Sequence, residues 1–350
     1  MGSTWGMQGP TTWSELEARL SGRKPQSSTQ SSPHSSSPAA VRPVVVPEPD
    51  RTPTGGTPRP VVPYAELHCH SNFSFLDGAS HPEELAEEAH RLGLTALAVT
   101  DHDGLYGVVR FAEAARVVGL PTVFGSEITV QSSVGPQHLV VLADGTAGYA
   151  RLARALSLAQ LAGSKGDPRC TMPDLADVGA GHWWVMTGCR QGAVPAALID
   201  HGPSAALREL QKLITAFGRD RVLVELWDHG DPLDTARNDA MAELAARADV
   251  QCIATNNVHY ATPSARRLAT AIAAVNQRCS LDEIDHCLPA AATAHLRSGA
   301  EQARRFARYP GVIDLAAEIG QAAAFDLSLV APKLPPYPCP DGLTEMQFLR

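Results

Sequence analysis

Between Tyr64 and Val275 the sequence alternates about seven times between a short apolar run and an amphipathic stretch. The runs YAELHC, TALAVT, TVFG, HLVVLA, WWVMTG, RVLVEL and CIATN have the texture of strands. Helical periodicity falls between and after them, over 105–118, 147–161, 203–217, 234–247 and 263–275. An earlier helix opens where Ser80 is followed by His81 and Pro82, and Gly93 closes it. Strands that alternate with helices are joined by crossovers, so their sheet is parallel. With this many units a barrel is the economical closure. The expected fold is α/β, a barrel over residues 63–275.

The flanks read differently. Residues 1–24 form a leader with one short helix at 11–23, capped by Ser14 and stopped by Gly22. Residues 25–62 read as a disordered linker. Nine Pro, seven Ser and two Gly fill half of positions 25–60, too little apolar surface to offset the entropy of ordering. Residues 276–350 lose the alternation. They predict helices at 300–309 and 311–323, broken at Pro310-Gly311, and an extended connector, LVAPKLPPYPCP. The final DGLTEMQFLR reads as the first turns of a further helix, with Thr344 as its cap.

Composition narrows the function classes. Hydrophobic residues make up 44% of the chain, enough for a sizeable core. No apolar run approaches the roughly 18 residues that a membrane helix needs, and MGSTWGMQGP has no apolar signal core. The N-terminal Met-Gly lacks a myristoylation pattern, because position six is Gly6. The net charge of −8 is not the footprint of a domain that coats itself on DNA. Seven cysteines with no C-x-x-C pair fit a reducing compartment, and a cytoplasmic location is expected.

The chemistry-bearing residues gather at predicted strand ends. His68 and His70 end the first strand as H-x-H, a spacing that puts both imidazoles on one face. Asp77 follows in FSFLDG. The second strand ends in Asp101-His102, the third leads to Glu127, the fifth to Cys189, and CIATN to Asn257 and His259. In a parallel barrel these ends meet at one mouth. Mixed imidazole and carboxylate ligands suit Zn, Mn or Fe, and two or three such ions close together can activate water against a phosphate ester. His138 starts its strand rather than ending it, so this geometry does not place it. Asp228 and His229 in LVELWDHG could join the mouth, but they read rather as a solvated turn.

At these residues the sequence resembles the PHP domain (polymerase and histidinol phosphatase). H-x-H, the following D-G, T-D-H, a Glu after a strand and a late x-x-H carry the resemblance. The longer segments AELHCHSNFSFLDGASHPEELAEEAHRLGLTALAVTDHDGLYG, VFGSEI, TGCRQG and ATNNVHY resemble the PHP domain of bacterial C-family DNA polymerases, the alpha subunits of polymerase III and their error-prone, damage-induced relatives. PTTWSELEARLSG, LRSGAEQARRFA and KLPPYPCPDGLTEMQFLR favour the error-prone branch.

The resemblance implies a PHP-type distorted (β/α)7 barrel, followed by helices that lead into a polymerase palm. It places the family's metal positions on His68, His70, Asp77, His102, Glu127, His138, Cys189, Asn257 and His259. Metal-bearing members have Asp where this chain has Asn257, and a neutral amide is a poorer ligand for a hard cation. The barrel is therefore expected to be a structural and metal-binding module with weak or absent 3′-5′ exonuclease activity. Asp101 or His102 would orient the attacking water. The resemblance further implies error-prone synthesis on damaged DNA by the full protein, Zn or Mn in the PHP site and Mg in a palm beyond residue 350. Its implied partners are DNA, the sliding clamp and a mutasome accessory factor. The alternative is a stand-alone phosphoesterase of the histidinol-phosphatase kind, which would not need residues 276–350; a scaffold with a decayed site is a third reading.

Overall fold

The computed structural model describes residues 62–350 except 134, 285–287, 289–292, 331–337, 341 and 350. The expected leader helix, the linker up to residue 61 and most of the Pro-rich connector lie outside the described residues.

Seven strands form one sheet in sequence order: β1 (Ala65–Glu66), β2 (Ala96–Val99), β3 (Thr122–Ser132), β4 (Gly135–Ala143), β5 (Trp183–Met186), β6 (Val222–Leu226) and β7 (Gln251–Ala254). Between and after them come α1 (Pro82–Leu92), α2 (Val108–Val118), α3 (Gly145–Ala162), α4 (Met172–Gly179), α5 (Ala193–His201), α6 (Pro203–Phe217), α7 (Asp234–Ala248) and α8 (Arg266–Gln277). α9 (Gly299–Arg305), α10 (Val312–Ala323) and α11 (Glu345–Leu349) complete the order. None of the described helices is long and apolar enough to cross a membrane.

The expected all-parallel sheet needs one correction. β1–β2, β2–β3, β5–β6 and β6–β7 are parallel, but β4 runs antiparallel to both of its neighbours. The cause is the length of the connection. Only residues 133 and 134 separate Ser132 from Gly135, whereas a parallel return needs about a dozen or more. β3 also continues well past TVFG, because SEITVQS keeps pairing with β4.

Two helices were not legible as such. α4 carries a capping box in which Thr171 N–H donates to Asp174 Oδ2 at 2.9 Å, with a proline in its first turn. α5 lies in AVPAALIDH, where a hydrophobic stretch hides the helical period. The predicted helix at 263–275 begins with a 3-10 turn at Pro263–Ala265. At the chain's end Thr344 Oγ1 accepts from Gln347 N–H at 3.3 Å, as the cap reading expects.

β1 and β7 are the edges of the sheet, and the rim stitches them together. Cys69 bridges to Val258, with His70 N–H donating to Val258 O at 2.7 Å and Val258 N–H to His68 O at 2.8 Å. This is the distortion of the barrel: a seam closed at its mouth and not along a ladder. α10 covers the seam, packing on β1, β2 and β7. Its small inner residues permit the close approach; a Cβ on Gly320 would stand 2.4 Å from Ala65 Cβ.

Candidate metal centre

The seam and the strand ends bring nine sequence-predicted residues to one region. His68 and His70 leave β1, with Cys69 buried between them. Asp77 sits in the loop that follows, directly after Leu76, which holds a left-handed φ of 63°. His102 follows β2 and forms a parallel bridge to Glu127 of β3. Cys189 follows β5, and Asn257 and His259 follow β7. His138 now has its place. Because β4 runs backwards, its beginning lies at the same end as the other strands' C-termini, and His138 pairs with Thr129 of β3.

The deepest part of the cluster is His68, His70 and Glu127, fully buried. His68 Nε2 lies 3.1 Å from His70 Nε2 and 3.5 Å from Glu127 Oε2, and His70 Nε2 lies 3.1 Å from that oxygen. Both rings are oriented from behind. His68 Nδ1–H donates to Glu225 Oε1 at 2.7 Å. His70 Nδ1–H donates to Ser74 Oγ at 3.1 Å, and Ser74 in turn donates to Asp101 Oδ1 at 2.7 Å. In each ring this leaves Nε2 as the atom facing the cluster, the arrangement typical of metal-binding histidines.

Electrostatics follow from this packing. Burial opposes a charge on His68, yet Glu225 and Glu127 hold its pKa well above the usual histidine value. Burial pushes His70 down to about 3, so it is a neutral donor. Burial also opposes ionisation of Glu127, but His138, His68 and His70 hold its carboxyl well below the usual range. For Asp77, burial is likewise outweighed by His259 and His102, and its carboxyl stays ionised.

The outer part is more open. Asp77 Oδ1 lies 3.1 Å from His259 Nδ1 and its Oδ2 lies 3.3 Å from His102 Nε2. His138 Nδ1–H donates to Glu127 Oε1 at 3.0 Å, and Cys189 Sγ–H donates to the same oxygen at 3.3 Å. Burial and Glu127 push the Cys189 thiol pKa up. Three overlapping trios have ligand atoms within 4.8 Å of one another: His68, His70, Glu127; His70, Asp77, His102; and His102, Glu127, His138. The donor set fits divalent ions. Asn257 supplies a second observation: its side-chain oxygen is buried without a hydrogen-bond partner, on a residue with a φ of 42°. A buried carbonyl oxygen without a partner beside this cluster is a group that a bound cation would satisfy.

Two sequence expectations change. Asp101 does not face the mouth; its oxygens accept from Ser71 N–H, Ser71 Oγ and Ser74 Oγ, each at 2.7 Å. His229 is not a solvated turn residue. It is buried, and its Nε2–H donates to Asn256 O at 2.6 Å. Asp228 is half-buried beside it. Glu225 and Ser74 were missed. Glu225 sits inside the apolar run RVLVEL, where a lone carboxylate on a buried strand was the available signal. A cavity of about 550 Å³ opens from Asp77, His102, Glu127 and His138 past Trp227 and Arg190 to Arg266 on α8.

The family model described as PHP domain matches residues 66–229 of this chain. Over 98% of its length the chain is 49% identical to the error-prone DNA polymerase of Mycolicibacterium paratuberculosis and 48% identical to that of Mycobacterium tuberculosis strain H37Rv. It covers 32% of each, so the chain spans about a third of the length of these relatives. Over nearly all of its length the chain is thus homologous to part of bacterial proteins named error-prone DNA polymerase. Among solved structures, an amidohydrolase from Chromobacterium violaceum is 21% identical with a TM-score of 0.42, matching 56% of this chain and 88% of its own.

Proposed function

We propose that this chain is the PHP region of an error-prone DNA polymerase for damage-induced translesion synthesis, and that its barrel is a metal-binding module. The observation that carries the metal reading is the buried trio His68, His70 and Glu127 with its ring-orienting partners. His68, His70, Asp77, His102, Glu127, His138, Cys189, Asn257 and His259 would hold the ions. Bound Zn or Mn ions would lower the pKa of water and neutralise the oxygens of a phosphodiester. Glu225 and the Ser74–Asp101 pair fix the two deep rings, so Asp101 acts through His70 and not on substrate. His102 stands half-buried between Asp77 and Glu127, whose carboxylates raise its pKa despite burial, and from there it would orient the attacking water.

The proposed division keeps all nine ligands within 63–275 and makes 276–350 the lead-in to a palm. The nucleotidyl transfer, its Mg and the contacts with DNA, sliding clamp and mutasome factor belong to the parent protein, in the cytoplasm. Asn257 in place of a carboxylate leaves the 3′-5′ exonuclease weak or absent.

The test is nuclease activity on end-labelled single-stranded DNA with Mn or Zn, for wild type, His68→Ala and Asn257→Asp. A silent wild type and an active Asn257→Asp variant are expected. Strong wild-type cleavage that persists in His68→Ala contradicts the assignment. Turnover of histidinol phosphate instead would favour the stand-alone phosphoesterase.

A further inference from the structure

The arm that carries Asn257 and His259 is not held by the barrel alone. Beyond Thr255, whose N–H still donates to Leu226 O at 3.0 Å, the chain leaves its ladder with β6, and a short segment from the region after the barrel, Thr293–Arg297, runs beside it. His259 N–H and Tyr260 N–H both donate to Ala294 O, at 2.9 and 3.2 Å, and Leu296 N–H donates to Ala261 O at 3.2 Å. Tyr260 forms a parallel bridge with His295. On its other side the arm is bridged to β1 through Val258 and Cys69. The metal-facing turn is therefore clamped between the first strand and a strap that comes 35 residues later than His259, counting to Ala294.

Side chains lock the strap. Asn256 Nδ2–H donates to Thr293 O at 2.8 Å and to His295 O at 2.6 Å, while its backbone N–H donates to Glu66. Thr293 Oγ1–H donates to His229 O at 2.6 Å. Arg297, buried within the fold, donates to Asp228 O and to Thr293 O, each at 3.0 Å. The strap thus wedges between the exit of β6 and the exit of β7. The contacts from Asn256, from Thr293 Oγ1 and from Arg297 to Asp228 O tie the strap to the residues beside or at His229 and Asn257.

We propose that Thr293–Arg297 is a positioning strap for the metal centre, with Asn256 and Arg297 as its positioning residues. The inference rests on the metal reading above and goes beyond it. It makes the outer ligands, Asn257 and His259, responsive to the chain that follows the barrel, since α9 begins two residues after Arg297. A displacement of that helix pulls on the arm through Arg297 and the strap carbonyls. The deep trio, anchored on β1 and β3, meets the strap only indirectly, through the pairing of His68 and His70 with Val258 of the arm.

Co(II) binding tests the strap by a readout that mere structural support would not move. The purified chain is stripped with EDTA and titrated with Co(II), following visible d–d absorption. Asn256→Ala and Thr293→Val are compared with wild type; Thr293→Val removes one hydroxyl at similar volume and keeps the test alive if Asn256→Ala fails to fold. The expected result is a Co(II) affinity weakened about 10- to 100-fold for Asn256→Ala and less for Thr293→Val, the range for supporting partners of metal ligands. Band positions shift with it. In the wild type, Co(II) slows hydrogen exchange at the amides of His259, Tyr260 and Leu296. Variants that melt earlier but keep the wild-type affinity and spectrum, with no exchange protection on metal addition, overturn the strap. A wild type that takes up no Co(II) refutes the metal reading itself, a separate and recognisable failure.

Discussion

The inner and outer halves of the metal centre are built by different means. In the inner half, the side chains of His68 and His70 are fully enclosed and that of Glu127 is 2% exposed. Each imidazole there has a partner behind it, either Glu225 or Ser74 backed by Asp101. In the outer half the side chains of His102, Asp77 and His259 are 29%, 31% and 25% exposed. Their side chains meet one another through Asp77, and the backbone of His259 also leans on a strap from outside the barrel. The inner half is preorganised by the core, whereas the outer half depends on loops. A cation should therefore find the inner site ready and the outer one adjustable, and the sequence departure at Asn257 falls in the adjustable half.

The largest expected effect is loss of the inner half. His68→Ala should abolish tight divalent-ion binding, measured by calorimetry on EDTA-stripped protein, while His259→Ala weakens it only several-fold. Equal losses would erase the distinction between the halves. Next comes Glu225→Gln, which keeps the shape but removes the charge that orients His68. A loss of about 10- to 100-fold in metal affinity is expected, as for other supporting partners. An unchanged affinity would mean that core packing alone fixes the ring. Asn257→Asp acts in the opposite direction. Restoring a carboxylate should tighten binding and raise the number of ions bound per chain, read by elemental analysis after gel filtration.

The smallest effect is in pH. Burial holds His70 and His229 down to about 3 in the folded chain, against about 6.5 when unfolded. The unfolded state then binds more protons between those values, so their contribution to stability is present above about pH 6.5 and lost as pH falls towards 3. His68 has the opposite sign. Its raised folded pKa contributes stability below about pH 6.5, lost as pH rises through the folded value. Thermal melts of metal-free protein should peak near neutrality and fall on the acid side. A melting temperature that climbs below pH 6 would show that His70 and His229 accept protons without cost.

Much of this was legible because strand ends carry chemistry in a barrel. H-x-H, T-D-H, GSE and N-N-V-H were readable from position alone. His138 was not, because its placement depends on β4 being reversed, and that follows from a two-residue connection inside a polar stretch, QSSVGPQ, which read as a long link between two separate strands. Glu225 was hidden in RVLVEL, since periodicity cannot say why a carboxylate is buried. The strap at 293–297 was out of reach for another reason. Its role is set by backbone pairing across a long sequence separation, and neither composition nor hydropathy records a carbonyl's partner.

The most direct test of the central claim is a metal titration of stripped wild type, His68→Ala and His259→Ala with Mn or Zn, scored by ions bound per chain. At least one tightly held ion in wild type, none in His68→Ala and retention in His259→Ala is the predicted result. A wild type that binds no ion, or a His68→Ala variant that binds as well as wild type, would contradict the account.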